Sequence, residues 1–112
     1  MKEKIKELMD AVVSYDKEKL HKRFSGGDLY RTLYKGLDSI GELDYDYLNN
    51  MEKIKGTTLE DKMKNLQNFT FKECCTLLTA ILRFDRFVEG LFNSVVISGD
   101  VLRLLTHAYN TL

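Results

Sequence analysis

Apolar residues recur at helical spacing through almost the whole chain and are densest from Phe69 to Leu112. Near the start, Ile5, Leu8, Met9 and Val12 fall at i, i+3, i+4 and i+7 with lysines and acids opposite, which predicts a helix over residues 2–15. Leu20 and Phe24 extend the stripe, so the helix continues or restarts at Asp16. The charged run Lys17 to Arg23 reads as a solvated helix face rather than a patch for an acidic partner. Ser25-Gly26-Gly27-Asp28 breaks the pattern, and Asp28 is expected to cap the next helix. That helix should run to about Ser39 with Leu29, Leu33, Leu37 and Ile40 on one stripe. Gly36 inside it costs about 1 kcal/mol relative to Ala, which points to a bend or a close approach there.

After Gly41, the stretch from Asp44 to Leu48 opens a short third helix with Leu48, Met51 and Ile54 inward, ended by Gly56. Thr57 to Glu60 has capping-box spacing and predicts a fourth helix carrying Leu59, Met63 and Leu66. Thr70 to Glu73 repeats that spacing, and Phe71, Cys74, Cys75, Leu78, Ile81 and Leu82 then make a clean stripe. Leu77 and Phe84 lie elsewhere on the wheel, so this helix is apolar over most of its circumference and must be covered on several sides. Past Arg83 the phase changes to Val88, Leu91, Phe92 and Val95, with Asp85 as a candidate cap. Gly99 suits a left-handed helix end, and Asp100 should cap a last helix burying Val101, Leu104, Leu105 and Ala108. Val95-Val96-Ile97 has strand propensity, but no partner strand is evident. The fold class expected is all-α: a compact bundle of six or seven short helices around a central helix at about 71–84, in a single domain over residues 1–112.

Composition narrows the functional classes. The 17 basic and 17 acidic residues cancel, which argues against nucleic acid as a partner, since phosphate contacts dominate such affinity. Zero net charge also removes self-repulsion and favours homodimerisation. Cys74 and Cys75 are adjacent and cannot bridge without strain, so reduced thiols and a cytoplasmic location are expected. The start of the chain has no apolar leader segment, and no stretch approaches the roughly 18 apolar residues of a membrane span.

The one constellation of charges set into apolar sequence is Arg83, Asp85, Arg86 and Glu89. Asp85 and Glu89 are one helical turn apart, as are Arg86 and Glu89. Paired carboxylates suit acid/base work or a hard cation, but the two arginines already neutralise them. An ion-pair network stapling the turn is the favoured reading; an anion site on Arg83 and Arg86 is the rival. Tyr30 and Tyr34 offer a stacking platform or, more simply, the edge of the core. His21, one turn after Glu18, and His107 lack the companions a zinc site needs, and no nucleophile motif or phosphate loop is present. No metal and no cofactor are expected.

Leu77-Leu78-Thr79 leading to Arg83, then Asp85-Arg86-Phe87, Glu89-Gly90, Ser98-Gly99 and Leu104-Leu105 resemble a bacterial and archaeal domain of unknown function, DUF6508. A fainter similarity covers Leu33-Tyr34 and Leu43-Asp44-Tyr45, where this chain has Tyr45 and Leu48 in place of that family's tryptophans. The departure leaves an aromatic pocket at Tyr45 unsupported. The resemblance implies a compact helical domain and no activity.

The functional expectation is a small cytoplasmic binding protein with a protein partner, reached through the Tyr30, Tyr34 and Tyr47 aromatics or the arginines. A phage or mobile-element accessory that inhibits a host complex would suit its size and composition. A ligand- or nucleotide-sequestering protein gripping phosphate with Arg83 and Arg86 is the second class. An enzyme is the weakest of the three.

Overall fold

The central helix forms where the pattern is strongest. In the computed structural model, which describes residues 1–15 and 27–112, it spans Phe71–Phe84. The capping box at its start is complete: the Thr70 hydroxyl accepts from the Glu73 amide at 3.2 Å, and the Glu73 carboxylate accepts from the Thr70 amide at 2.9 Å. Every residue from Cys74 to Leu82 is buried, so neighbours cover this helix almost all round.

Those neighbours are, in chain order, α1 (Lys2–Ser14), α2 (Gly27–Ser39), α3 (Tyr47–Glu52), α4 (Leu59–Met63), the central helix α5, α6 (Leu91–Ser98) and α7 (Asp100–Asn110). A 3-10 turn at Leu66–Asn68 precedes α5. Among the described residues there are thus seven α-helices and no strand, as the pattern predicts. The helix α5 packs on α7, α3, α6 and α2; α1 closes the far side against α7 and α2. Val101, Leu104, Leu105 and Ala108 of α7 are fully buried between α1 and α5. Val95-Val96-Ile97 is helical, and Gly99 ends α6 at φ 91°, a left-handed conformation that a side chain would strain. Lys17 to Arg23, Glu18, His21 and the Ser25-Gly26 break lie outside the described residues.

Several local expectations are corrected. Asp28 and Asp100 do not cap: each sits within the first turn of its helix, pairing with Arg31 at 3.7 Å and Arg103 at 2.6 Å. The fourth helix ends at Met63, and its cap is Thr58, which accepts from the Asp61 amide at 3.1 Å; Thr57 instead donates to the Asp61 carboxylate at 2.7 Å. The third helix starts only at Tyr47, because Asp44 is held in the preceding loop by α5. That start turns Tyr47 onto Phe84, rings 5.6 Å apart and edge-on, and leaves Leu48 59% exposed rather than inward. Val88 is 53% exposed because α6 begins three residues later than the stripe suggests.

Helix α4 carries a group that periodicity cannot foresee. Lys62 is buried, and its ammonium donates to the carbonyls of Met51 at 3.0 Å, Ile54 at 2.8 Å and Gly56 at 2.7 Å. All three of its protons are used, so the charge is satisfied within the fold and the end of α3 is tied to α4.

Candidate functional site

The turn after α5 brings together two arginines and three aromatic rings. Arg83, Arg86 and Phe87 line a half-open cleft of about 210 Å³ with Tyr45 from the loop before α3 and Tyr47 from its first turn. Phe87 is 81% exposed and Tyr45 76% exposed, far more than large apolar surfaces need to be. Phe87 is held there by the backbone: its amide bonds the Phe84 carbonyl at 2.9 Å, so the chain turns instead of continuing the helix.

Two members of the expected cluster, Arg83 and Asp85, turn to other partners. Arg83 donates to the Tyr34 hydroxyl at 3.2 Å and lies over that ring, 5.5 Å from its centre. It also stands in the last turn of α5, where a cation complements the helix dipole. Asp85 accepts from the Phe92 amide at 2.9 Å and so caps α6 from seven residues away. Arg86 is exposed, and among the described residues no ion pair joins it to a carboxylate. Glu89 lies exposed in the turn before Gly90.

Tyr30 and Tyr34 stack at 6.4 Å with planes 14° apart, and Tyr30 meets Phe92 edge-on at 5.4 Å. The Tyr30 hydroxyl donates to the Leu82 carbonyl at 2.7 Å, and burial, reinforced by the charge of Asp85, pushes its ionisation up. Both rings pack against the core, and neither lines the arginine cleft. Tyr34 bears on the cleft through its hydrogen bond and ring contact with Arg83.

On the other side of Tyr45 lies a larger groove of about 510 Å³, whose lining includes Glu42, Asp44, Asn50, Lys53, Lys72 and Glu73. Asp44 is its hub. The carboxylate accepts from the Thr76 hydroxyl at 2.6 Å, the Asn50 amide at 2.9 Å and the Asp46 backbone at 2.9 Å, while its own amide donates to Thr79 at 3.1 Å. Burial would raise its pKa, but the bonds from Thr76, Asn50 and Asp46, with the charge of Lys72, bring it below 3.8. Lys72 donates to the largely buried Glu42 at 2.6 Å, which holds the ammonium's pKa above the usual value. Cys75 backs the groove, and burial pushes both its thiol and that of Cys74 up to about 12.

The cluster Arg83 and Arg86 was visible in sequence, and Tyr45, Tyr47 and Phe87 were not visible as its neighbours. Phe87 stands three residues after Phe84 and four before Leu91, so the apolar spacing alone gave no signal of its exposure. His107 ends 2.9 Å from the Phe69 carbonyl, tying α7 to the entry of α5. Among the described residues no three His, Cys, Asp or Glu side chains gather as a metal site would require. No described helix is long and apolar enough to cross a membrane.

Among curated proteins and among solved structures, none matches the chain. Residues 22–112 match a family model, and the chain belongs to that family, the family of unknown function DUF6508.

Proposed function

We propose that this protein is a docking module that holds a partner protein through an acidic, apolar segment laid on Arg83, Arg86, Phe87, Tyr45 and Tyr47. The observation that carries this reading is the exposure of Phe87 and Tyr45 beside two guanidinium groups. Arginine and aromatic side chains are the types that concentrate binding energy at protein interfaces. At about 210 Å³ and half open, the cleft is smaller than the roughly 300–1,000 Å³ that encloses a small ligand. The carbonyl end of α5 points to the same turn, and its dipole weakens the hold of the arginines on any anion, so an anion alone is poorly held there. A carboxylate that also buries an apolar neighbour on Phe87 gains what a free anion lacks. Blocking a larger complex is one use of such docking.

The test is a peptide array carrying Glu beside Leu or Phe, set against the same array with Lys for Glu, and against ATP and inorganic phosphate. Binding to the Glu peptides should fall about tenfold in Arg86→Ala and in Phe87→Ser, with the helical circular dichroism unchanged. Equal binding by wild type and both variants overturns the reading. Binding of ATP that Arg86→Ala abolishes would favour the second reading, phosphate sequestration, which rests on the paired arginines.

A further inference from the structure

Tyr45 lines both grooves, so the arginine cleft and the larger polar groove adjoin at this residue. Their charges are opposed. On one side stand Arg83 and Arg86. On the other stand Glu42, Asp44 and Glu73 against Lys53 and Lys72, and Lys72 is already engaged by Glu42 at 2.6 Å. With Glu42 taken up by Lys72 and the Asp44 carboxylate by Thr76, Asn50 and Asp46, the charge that the polar groove offers a partner is that of Glu73, bonded only to the neutral Thr70 amide and set against Lys53, whereas the arginine cleft carries two cations.

Helix geometry gives the spacing. Thr76 in the polar groove and Arg83 in the cleft are seven residues apart on α5, two turns along one face and about 10.5 Å along the axis. Glu73 lies three residues further back, about 15 Å from Arg83 along the axis and about 80° round the helix from it. The loop that carries Tyr45 crosses between them, pinned by Asp44 to Thr76 and Thr79. An extended chain covers about 15 Å in four to five residues.

We infer that the partner segment is dipolar: an acidic residue seated at Arg83 and Arg86, an apolar residue on Tyr45, and a basic residue four to five positions away beside Glu73. This rests on the docking reading of the arginine cleft and adds the second groove to it. The recognised class is an extended peptide of a partner protein, oriented by two opposite charges whose separation the surface sets.

Glu73→Gln isolates the second groove, because Gln preserves the capping box while removing the charge. The probes are octapeptide libraries with fixed Glu and fixed Lys four or five residues apart, in both orders, and the same libraries with Gln for Lys. Dissociation constants are measured by fluorescence anisotropy on wild type, Glu73→Gln and Arg86→Ala. In one order, the Glu/Lys library should bind wild type about two- to fivefold more tightly than its Gln counterpart, and Glu73→Gln should erase that difference. If Glu73→Gln leaves the difference intact, or none exists in either order, while Arg86→Ala still weakens both libraries, the dipolar segment is refuted and the docking reading survives. If Arg86→Ala binds both libraries as wild type does, the docking reading fails and the inference with it.

Discussion

Leu8 occupies the space that a side chain at Gly36 would need. A Cβ built on Gly36 would lie 2.5 Å from Leu8 Cδ2 and 3.1 Å from its Cγ, so α1 and α2 meet backbone to side chain at this point. Of a bend and a close approach, this glycine serves the close approach. In an exposed helix Gly36→Ala would gain about 1 kcal/mol. Here Leu8 is buried with little room to retreat, and overpacking should prevail. Urea denaturation should show Gly36→Ala less stable by about 1–3 kcal/mol. The double variant with Leu8→Ala should show strong coupling between the two changes.

Lys62 is 5% exposed and holds three carbonyls. Lys62→Met keeps the aliphatic stem but takes the donor from the Ile54 and Gly56 carbonyls, while Met51 still accepts from the Ile54 amide at 3.1 Å. Since one unsatisfied buried group costs about 1–3 kcal/mol, the loss should reach about 3 kcal/mol in denaturant titration. Slower closure of the α3–α4 segment should appear as faster amide exchange at Ile54 and Gly56.

Asp44 sets an acid limit. Its carboxyl pKa is lowered in the fold, so its contribution is present above about pH 4 and is lost as pH falls through the folded value below 3.8. Thr76→Val removes the 2.6 Å bond and should bring the Asp44 pKa up toward the ordinary carboxylate value. Carboxyl-resonance titration by NMR should show that rise, and thermal midpoints should show a smaller stability loss between neutral pH and pH 3 than in wild type.

Cys74 and Cys75 should be inert. Both are buried with pKa values pushed up to about 12, so almost no thiolate exists at neutral pH. A thiol-reactive chromogenic disulfide should label neither in the native protein and both after unfolding in guanidinium chloride.

Self-association has less apolar surface available than the sequence suggests, because the apolar excess from Phe69 to Leu112 is largely buried within the fold. Light scattering at high concentration should give a monomer. A dimer that Phe87→Ser dissolves would instead seat a second copy on the docking patch.

The sequence by itself determined the helices whose stripes are long: α1, α2, α5 and α7 follow a 3.6-residue period that only a one-sided or all-round core rewards. It also determined the Thr70–Glu73 capping box, because that bond pattern closes within four residues. Tertiary structure alone decided the surface. Leu48 and Val88 are apolar at helical spacing, yet they point outward because Asp44 delays α3 and Asp85 reaches forward to Phe92. Lys62 reads as a surface charge until the carbonyls of three other residues converge on it. Arg83 and Arg86 were legible as a pair, but Tyr45 joins them from nearly forty residues away, across a loop whose path α5 dictates. Periodicity reports what each helix must bury; which charges and rings then meet outside the core depends on contacts between segments distant in the chain.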